Sequence, residues 1–435
     1  MLSKRVPVNE ALSKKSKNTV VAGWVESTRL LGSLIFIDLR DRTGKLQVIA
    51  LKKKLTPEKY KALEKITPES VLVIKGDVQE SKAKEVKYEL ALEDFEILSK
   101  AETPIPIDLN DNTTTNLDKR LDMRFLDTRR KRINAIFKIR SQLFKDTVEF
   151  FHKQGFVNIN TPKLTACGVE SGAELFALPY FGKTAYLAQS PQVYKQMFVS
   201  GGLERVYEIA PVFRAEKSHT TRHLTEFTGI DMEMGFIKDE HDVMDVVEDL
   251  FKYVLQKIKE DCKEELELLK VEVSVPKKIP RLDIKEIRKL LAEKGKKVPE
   301  NDDLDAEAEE LLGKIVKEKY KEDFVFALNY PWAKRPFYHM KPENNPNGTK
   351  SFDFLWKGTE IATGAQREHR YEILKKQAEE KGVELNDDYA NIFRFGCPSH
   401  GGVGLGLDRM TQKLLNIENV REAILLPRDP ERLTP

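Results

Sequence analysis

The pattern of apolar positions changes along the chain. Residues 19–98 contain short segments rich in valine, isoleucine and leucine. They predict five strands: Thr19–Glu26, Ser33–Leu39, Lys45–Leu51, Val71–Gly76 and Val86–Ile97. A helix is predicted over Pro57–Ile66, between the third and fourth strands. From Ile133 to Phe151 the apolar residues recur at helical spacing, and Gly155 ends that pattern.

Five strands with a helix after the third are the layout of an OB barrel, whose open face binds oligonucleotides. Phe36 and Gln47 lie on adjacent predicted strands. A ring that stacks on a base and an amide that reads its edge are a usual pair for single-stranded RNA. Taken singly, Phe36 is equally well explained as a core residue. Only the two residues together mark a candidate RNA-binding surface.

The predicted elements divide the chain into domains. Residues 1–103 form the predicted OB domain, and the proline-rich and polar segment 104–132 is predicted to be a hinge or linker. Residues 133–435 alternate strands and helices, which predicts an α+β domain. The charged, helix-rich stretch at about 240–320 shows no site chemistry. We interpret it as a peripheral helical insertion.

Composition excludes several classes of protein. With 40% hydrophobic and 33% charged residues, the 435-residue chain has the balance of a multidomain globular protein. No apolar run approaches the length of a membrane span, and residues 1–18 lack the apolar core of a signal peptide. Three widely spaced cysteines without a CxxC pattern predict a reducing, cytoplasmic location and argue against disulfides or structural zinc.

Charge is unevenly distributed. Residues 1–100 hold 20 lysine and arginine residues against 14 acidic ones, although the net charge of the chain is only +3. A basic domain suits a polyanionic partner such as nucleic acid. Solvated surface lysines would explain the same excess, so charge alone does not decide between them.

The densest group of candidate site residues lies between Phe213 and Phe227. Arg214 can form a forked contact with a phosphate, and Glu216 can accept a hydrogen bond from an exocyclic amine. Phe227 offers a ring face on which a base can stack. An exposed, charged helix face would instead pair glutamate and lysine at four-residue spacing. The group therefore predicts a nucleoside triphosphate site.

Two further segments carry suitable chemistry for the same kind of ligand. Gln192 and Lys195 fall on one side of a predicted helical turn and can reach one small ligand. In the glycine-rich run 401–409, the glycines allow close backbone approach. A helix is predicted to begin near Leu407, which brings Arg409 to where it can meet phosphate.

A third segment contains hard oxygen ligands. Asp353 and Glu360 are suited to a Mg²⁺ ion that bridges phosphates, and Thr363 can supply a further oxygen. Arg367 adds a fixed cation a few positions later. These residue types at one place predict a metal-assisted phosphate site.

Together these segments resemble the three signature motifs of the class II aminoacyl-tRNA synthetases. The long helix with Gly155–Pro162 resembles motif 1, the group at 213–227 resembles motif 2, and the glycine run ending in Arg409 resembles motif 3. The OB domain resembles that of subclass b, whose members use aspartate, asparagine or lysine. The resemblance covers nearly the whole chain, including Leu426–Asp429, and is strongest to aspartyl-tRNA synthetases of the archaeal and eukaryotic type.

This resemblance implies a catalytic domain built on an antiparallel β-sheet flanked by helices. It implies ATP-dependent attachment of L-aspartate to tRNA-Asp through an aspartyl-adenylate, with ATP and Mg²⁺, in a homodimer without a membrane partner. No protein nucleophile is needed, because the enzyme contributes positioning and charge neutralisation.

The resemblance also assigns expected roles. The catalytic residues are Arg214, Glu360 and Arg409. The aspartate contacts are Glu170, Gln192, Lys195, Arg214, Asp231, Thr363 and Arg367. The ATP contacts are Arg214, Glu216, Arg222, His223, Leu224, Phe227, Glu360, Gly406, Leu407, Asp408 and Arg409. The Mg²⁺ ligands are Asp353, Glu360 and Thr363, and the anticodon contacts are Phe36 and Gln47.

Aspartate is favoured over asparagine by charge. Lys195 and Arg367 would place two cations around the substrate side chain, with Asp231 holding Lys195. A neutral amide would then leave a cation uncompensated, at a cost of about 2–5 kcal/mol. Glu170, in the predicted mobile loop Cys167–Phe176, is expected to bind the α-ammonium group.

One position departs from the resembled pattern. Many archaeal-type relatives carry Trp or His after Gly23-Trp24-Val25, at a position tied to anticodon reading, whereas this chain carries Glu26. An acid near RNA phosphates is unexpected. Charging of tRNA-Asn in addition to tRNA-Asp therefore stays open.

Three alternatives follow from the same motifs. Lys195 and Asp231 argue against an asparaginyl-tRNA synthetase. The OB domain argues against a synthetase-like asparagine synthetase, which would lack it. Intact Arg214, Glu360 and Arg409 argue against a non-catalytic RNA-binding paralogue.

Overall fold

The computed structural model describes residues 1–82, 86–166, 175–217 and 220–435. These residues form two compact units, Met1–Asp108 and Leu109–Pro435. The boundary between the units falls within the segment 104–132, for which a linker was predicted.

Among the described residues of the first unit, five strands close into a barrel. The strands are β1 (Thr19–Leu31), β2 (Leu34–Asp41), β3 (Gly44–Leu51), β4 (Val71–Glu80) and β5 (Tyr88–Ser99). The helices are α1 (Val8–Ser13) and α2 (Pro57–Glu64). The strand order β1-β2-β3-β5-β4 closes because β4 pairs with β1. The predicted OB barrel, with its helix after the third strand, is confirmed.

The sequence of β2 shows why this strand has one buried face. Ile35, Ile37 and Leu39 are fully buried, whereas Phe36 between them is half-buried. Alternate side chains of a strand point to opposite faces, so Phe36 lies on the outer face of the barrel. A Cβ atom on Gly23 would lie 2.2 Å from the carbonyl oxygen of Arg40, so β1 and β2 can approach this closely only at glycine.

The second unit combines a large sheet with helices. Its strands are β6 (Val157–Asn158), β7 (Leu164–Thr165), β8 (Ala177–Tyr180), β9 (Lys183–Leu187), β10 (Arg205–Phe213), β11 (Glu226–Gly235), β12 (Arg281–Asp283), β13 (Phe324–Leu328), β14 (Ser351–Trp356), β15 (Glu360–Arg367) and β16 (His400–Gly406). Its helices are α3 (Leu117–Asp122), α4 (Arg124–Asp127), α5 (Lys131–Lys153), α6 (Gln192–Phe198), α7 (Glu240–Asp261), α8 (Lys263–Leu269), α9 (Ile284–Glu293), α10 (Ala306–Tyr320), α11 (Tyr371–Glu380), α12 (Asp387–Arg394) and α13 (Leu407–Leu414).

Within the described ranges, the large sheet has eight strands in the order β12-β13-β14-β15-β16-β11-β10-β6. Only the outermost pairs, β12 with β13 and β10 with β6, are parallel. The predicted antiparallel sheet flanked by helices is therefore confirmed. A smaller sheet pairs β7 and β8 with β9. The predicted motif 1 helix is α5, which begins two residues earlier and ends two residues later than the apolar pattern indicated.

Helix α7 belongs to the main core. Val243, Met244, Val247 and Leu250 are at most 1% exposed and pack in the same cluster as residues of β11, β14 and β16. The interpretation of residues 240–320 as a peripheral insertion is therefore wrong for this helix. The sequence suggested it because charged residues cover the outer face of α7, while its apolar stripe faces the sheet.

Helices α9 and α10 form a second cluster against β13 and β14. Helix α10 also lies against the turn that precedes β15. A Cβ atom on Gly313 would lie 2.5 Å from the backbone nitrogen of Gly358, so the two backbones touch where neither residue has a side chain. This contact brings a part of the supposed insertion to the start of a strand that carries site residues.

Candidate active site

A cavity of about 300 Å³ is lined by residues of β10, β11, β15, β16 and α13. The predicted site residues that line it are Gln192, Arg214, Glu216, Arg222, His223, Leu224, Phe227, Asp231, Glu360, Thr363, Arg367, Gly406, Asp408 and Arg409. Glu360 and Arg367 are the first and last residues of β15. At about 3.3 Å per residue they lie roughly 20 Å apart, so the cavity has two well-separated ends.

The β10–β11 hairpin positions the predicted nucleotide contacts. The two strands pair up to Phe213 opposite Glu226, and the backbone nitrogen of Arg214 then donates to the carbonyl of Thr225 at 2.9 Å. The Arg214 guanidinium lies over the ring of Phe227, 5.5 Å from its centroid. A terminal nitrogen of Arg214 lies 3.8 Å from a carboxylate oxygen of Glu216. The cation, ring and acid predicted for nucleotide binding are thus neighbours.

His223 lies between charged groups. Its Nδ1 is 2.6 Å from the hydroxyl oxygen of Thr220, and its Nε2 is 3.9 Å from a carboxylate oxygen of Glu216. Burial and the nearby Arg409 lower the pKa of His223. The imidazole therefore favours its neutral form, which can donate one hydrogen bond to a phosphate. Ser218 and His219 of this loop lie outside the described residues.

Three residues define what we call the phosphate end: Arg222, Glu360 and Arg409. Arg409 donates from Nε to the Arg222 carbonyl at 3.3 Å and from a terminal nitrogen to the Glu360 carbonyl at 3.1 Å. The Thr363 hydroxyl donates to a Glu360 carboxylate oxygen at 3.2 Å. Burial and the neighbouring Asp353 raise the pKa of Glu360. A divalent cation would relieve this accumulation of negative charge, so Glu360 and Thr363 fit an oxygen-ligated metal.

Asp353, the third predicted metal ligand, is already bound by a neighbouring arginine. Its two carboxylate oxygens accept bonds from the Arg335 guanidinium at 3.1 Å and 2.6 Å, and both side chains are buried. It also lies outside the lining of the cavity. Each Asp353 oxygen keeps a second lone pair, so the bonds from Arg335 do not by themselves prevent ligation. Because Asp353 is absent from the cavity lining, Glu360 and Thr363 are the ligands that we propose. In the described part of the chain, no group of three or more His, Cys, Asp or Glu side chains is arranged to hold a metal.

Four charged residues form what we call the buried ion network: Lys195, Asp231, Glu233 and Arg367. The Lys195 ammonium lies 2.9 Å from Asp231 and 3.4 Å from Glu233. Arg367 Nε donates to Glu233 at 2.9 Å. Although burial opposes ionisation, Arg367 and Lys195 together lower the pKa of Glu233. Lys195 lies beneath the cavity wall, whereas Asp231 and Arg367 line the cavity.

Glu233 was missed by the sequence analysis, and it changes the charge argument. Two cations and two carboxylates balance within the network, so a neutral substrate amide would not by itself leave a cation uncompensated. Selection of a carboxylate must then depend on the directions of the donors. Asp231 and Glu233 are two positions apart on β11 and therefore share one face, which was the signal that could have identified Glu233.

Arg367 has further partners around the network. One terminal nitrogen lies 2.9 Å from Nε2 of His339, and the other donates to the Gln192 side chain at 3.2 Å and the Gly402 carbonyl at 3.1 Å. Burial and Arg367 hold the pKa of His339 well below its usual range, so His339 is a neutral acceptor. Tyr338 lies next to it, with the Arg367 guanidinium 5.6 Å from the ring centroid. His339 and Tyr338 line the cavity and were also missed, because Pro336–His339 carries no charge pattern.

The motif 3 residues divide into two groups. Asp408 accepts from Arg140 of α5 at 2.6 Å and from the backbone nitrogen of Thr228 at 2.8 Å, which ties α5 and β11 to the start of α13. Leu407 is fully buried in the main core. The predicted contact of Leu407 with ATP could therefore involve only its backbone. Glu170 and its loop, 167–174, lie outside the described residues.

The candidate RNA-binding face of the barrel contains a hydrogen-bonded set. The Gln47 amide donates to Glu89 at 3.0 Å, and Arg29 donates to the Gln47 side-chain oxygen at 3.4 Å. Glu89 is buried and was not identified from the sequence. Its side chain also accepts from Gln79 at 3.2 Å. The amide of Gln47 is therefore held in a fixed orientation opposite Asp38, on the same face of the barrel as Phe36.

Glu26 lies at a β-bulge. The register between β1 and β2 shifts between Val25 and Ser27, so Glu26 is the extra residue of the bulge. Its carboxylate is 3.5 Å from the Lys45 ammonium, which is 3.1 Å from Asp38. The unexpected acid is thus paired with a cation of the barrel surface.

Comparison with known proteins agrees with this site. The chain matches the family model described as tRNA synthetases class II (D, K and N) over residues 116–430, and OB-fold nucleic acid binding domain over residues 19–98. It belongs to the class II aminoacyl-tRNA synthetases of this group.

Individual relatives are similar over nearly their full length. The chain is 46% identical over 422 residues to an aspartate–tRNA(Asp) ligase of Pyrococcus abyssi, covering 96% of each chain. It is 43% identical to an aspartate–tRNA(Asp/Asn) ligase of Aeropyrum pernix, covering 95% of each. A solved asparaginyl-tRNA synthetase from Pyrococcus horikoshii, complexed with asparaginyl-adenylate, matches with a TM-score of 0.92 at 32% identity and covers 100% of both chains. In the described residues, no helix has the length and apolar composition needed to cross a membrane.

Proposed function

We propose that the chain is an aspartate–tRNA ligase, which activates L-aspartate with ATP and transfers it to tRNA-Asp. The observation that carries the proposal is one cavity with the buried ion network at one end and the phosphate end at the other. The substrates have groups for both ends: the side-chain carboxylate of aspartate can accept hydrogen bonds at the buried ion network, and the triphosphate of ATP can bind at the phosphate end.

ATP would occupy the cavity from the hairpin to the phosphate end. The adenine would stack on Phe227 and donate its exocyclic amine to Glu216. Arg214 would contact the α-phosphate and the substrate carboxylate, because it extends from the end of the same hairpin. Arg222, His223 and Arg409 would receive the β- and γ-phosphates. Leu224 and Gly406 line the cavity beside them.

Glu360 and Thr363 would hold Mg²⁺, with phosphate oxygens of ATP completing the coordination. A bound Mg²⁺ would neutralise charge on the leaving pyrophosphate. Neither ligand depends on Asp353, which Arg335 already binds.

Aspartate would lie over the buried ion network, with its side-chain carboxylate toward Arg367 and Lys195. Gln192 lines this end of the cavity and already bonds to Arg367, so it can orient both the substrate and the arginine. Glu170 would bind the α-ammonium group, as the family resemblance suggests.

The first reaction step needs no covalent contribution from the protein. The α-carboxylate of aspartate attacks the α-phosphorus of ATP, a P–O bond forms, and pyrophosphate leaves. A terminal ribose hydroxyl of tRNA then attacks the carbonyl carbon of the adenylate, AMP leaves, and the hydroxyl proton passes to a phosphate or solvent oxygen. Arg214 and Arg409 supply fixed positive charge where negative charge increases.

Amino-acid-dependent exchange of pyrophosphate into ATP tests the first step. We expect exchange with aspartate and not with asparagine or lysine. Arg214→Ala should reduce the rate by about 100-fold or more, as loss of a transition-state charge contact does. Lys217→Ala, an exposed cation three positions later, is the matched control and should leave the rate unchanged. Exchange with asparagine in place of aspartate would contradict the proposal.

The proposed function leaves a choice of tRNA substrates, either tRNA-Asp alone or both tRNA-Asp and tRNA-Asn. Glu26 on the bulge, paired with Lys45, replaces the larger side chains that resembled enzymes carry there. We infer that tRNA-Asn is a second substrate, since a carboxylate paired with Lys45 stands where the resembled enzymes carry a ring tied to anticodon reading. Aspartylation of separate tRNA-Asp and tRNA-Asn transcripts decides this, and charging of tRNA-Asp alone would refute it. Glu26→Trp should then lower charging of tRNA-Asn more than that of tRNA-Asp.

A homodimer and a cytoplasmic location complete the proposal. Phe125 and Phe144, near or on the motif 1 helix α5, are 66% and 42% exposed, which suits a subunit contact. Sedimentation of the purified protein at micromolar concentration should give a dimer, and Phe144→Glu should shift it toward monomer.

Cys262 and Cys397 are free thiols, as expected in a reducing compartment.

A further inference from the structure

Helix α10 reaches the phosphate end through Glu309. One Glu309 carboxylate oxygen accepts from the backbone nitrogen of Glu360 at 3.2 Å and lies 3.5 Å from a terminal nitrogen of Arg222. The Glu309 side chain is 14% exposed and does not line the cavity. It therefore contacts two residues of the phosphate end from behind.

These contacts close a ring. Glu309 accepts from Arg222, the Arg222 carbonyl accepts from Arg409, and Arg409 donates to the Glu360 carbonyl. The Glu360 backbone nitrogen donates to the Glu309 carboxylate, which completes the ring. Each member thus restrains the next, although the four residues come from four different parts of the chain.

The backbone contact of α10 explains how the ring is held. Gly358 has φ +66°, and a Cβ atom there would lie 2.8 Å from the Cα of Glu310. With Gly313 packed against the same turn, α10 has little freedom to move relative to the start of β15. Glu309 is consequently a fixed acceptor rather than a mobile surface carboxylate.

Arg222 benefits most from a fixed acceptor. An arginine that is 27% exposed loses side-chain entropy when it must hold a phosphate. Holding it beforehand removes part of that cost from ligand binding. Burial and the neighbouring Glu360 raise the pKa of Glu309 to about 7. In its ionised form Glu309 places negative charge close to the triphosphate, which would oppose ATP binding. The two effects predict opposite changes when Glu309 is removed.

We propose that Glu309 is a positioning residue for the triphosphate, which ties Arg222 to the start of β15. The inference rests on the proposed function, because it assumes that Arg222 binds ATP phosphates. Arg222 compensates the charge of ionised Glu309, so we expect the loss of position to outweigh the loss of repulsion.

Exchange kinetics with Glu309→Ala test the proposal. The KM for ATP should rise about tenfold, the effect of losing a charge-assisted hydrogen bond, while the KM for aspartate stays within about twofold. Glu309→Gln keeps an acceptor oxygen and should restore most of the ATP affinity. Glu310→Ala is the matched control, because Glu310 is exposed on the same helix and its carboxylate forms a salt bridge with the exposed Lys314.

Combining variants tests whether Glu309 acts through Arg222. Arg222→Ala should raise the KM for ATP, and adding Glu309→Ala should then change it by less than about twofold. Full additivity would overturn the inference. So would a lower or unchanged KM for ATP in Glu309→Ala alone, or an equal rise in both KM values with a lower melting temperature. Absence of aspartate-dependent exchange in the unaltered protein would instead refute the proposed function.

Discussion

His339 makes one hydrogen bond to Arg367, and that bond fixes one of the terminal nitrogens of the guanidinium. Its Nε2 must be the acceptor because arginine can only donate. The proton then resides on Nδ1, which has no hydrogen-bond partner among the described residues. Because Glu233 already balances the charge of Arg367, the direction in which Arg367 donates would, under the proposed function, distinguish aspartate from an uncharged amide. His339, a single neutral side chain, would then influence selectivity.

Replacing His339 tests this role. His339→Leu should raise the KM for aspartate in the exchange assay about tenfold, because the arginine loses an acceptor, and should leave the KM for ATP nearly unchanged. His339→Gln retains an acceptor atom and is the matched control. Equal KM values for aspartate in the unaltered protein and His339→Leu would show that the bond does not orient Arg367.

The same burial makes stability depend on pH. The pKa values of His339 and His400 are lowered in the folded protein, by burial in each case. Below about pH 6.5 the unfolded chain binds protons that these folded imidazoles do not, so stability is present above that pH and is lost as pH falls. We expect the free energy of unfolding to fall by up to about 1.4 kcal/mol per pH unit for each group. Denaturant unfolding at pH 7 and pH 5 measures this, and His339→Gln should show a smaller decrease. Parallel curves for both proteins would exclude a contribution from His339.

At the level of elements, strand β16 makes room for the buried carboxylates of its neighbour β11. Strand β11 carries Asp231 and Glu233, and β16 places Gly404 and Gly402 directly opposite them. A Cβ atom on Gly402 would lie 2.1 Å from a Glu233 carboxylate oxygen, and one on Gly404 would lie 3.1 Å from Asp231. The sequence predicted only that the glycines allow close backbone approach. At these positions they instead make room for buried carboxylates.

Gly402→Ala should therefore disturb the buried ion network. We expect a loss of about 1–3 kcal/mol in the free energy of unfolding, the usual cost of overpacking, together with a higher KM for aspartate. Gly201→Ala is the control, because a Cβ atom there would meet no atom within 4 Å. Thermal unfolding and exchange kinetics measure both effects. A Cβ atom there would also lie 2.2 Å from the Met232 carbonyl oxygen, so a Gly402→Ala protein as stable as the control would mean that both Glu233 and this backbone can move aside freely.

For the whole molecule, the two compact units carry different parts of the proposed function. The cavity and its charged ends lie within Leu109–Pro435, whereas Phe36, Gln47 and Glu89 lie within Met1–Asp108. Under the proposed function, amino-acid activation would require only groups of the second unit. Recognition of tRNA would draw on the first, so the two activities should be separable by substitution.

Gln47→Ala should lower the rate of tRNA aspartylation by about tenfold, because an amide that reads a base edge is lost. Aspartate-dependent pyrophosphate exchange should stay unchanged, since no residue of the cavity is altered. Glu89 keeps its bond from Gln79 in this variant, which protects the barrel. Equal decreases in charging and exchange would show that Gln47 has a structural role.

The sequence by itself determined the barrel strands, the motif 1 helix and most lining residues of the cavity. Strand alternation and helical spacing are set by backbone geometry within a few residues, and the motif residues cluster locally at 213–227, 360–367 and 401–409. Only the tertiary structure decided which charges meet. Glu233 pairs with Arg367, which is 134 residues away in the sequence. Glu309 contacts Arg222, which is 87 residues away, and Arg335 binds the carboxylate of Asp353. Such pairs depend on how distant elements pack together, and no local periodicity of the sequence encodes which distant residues meet.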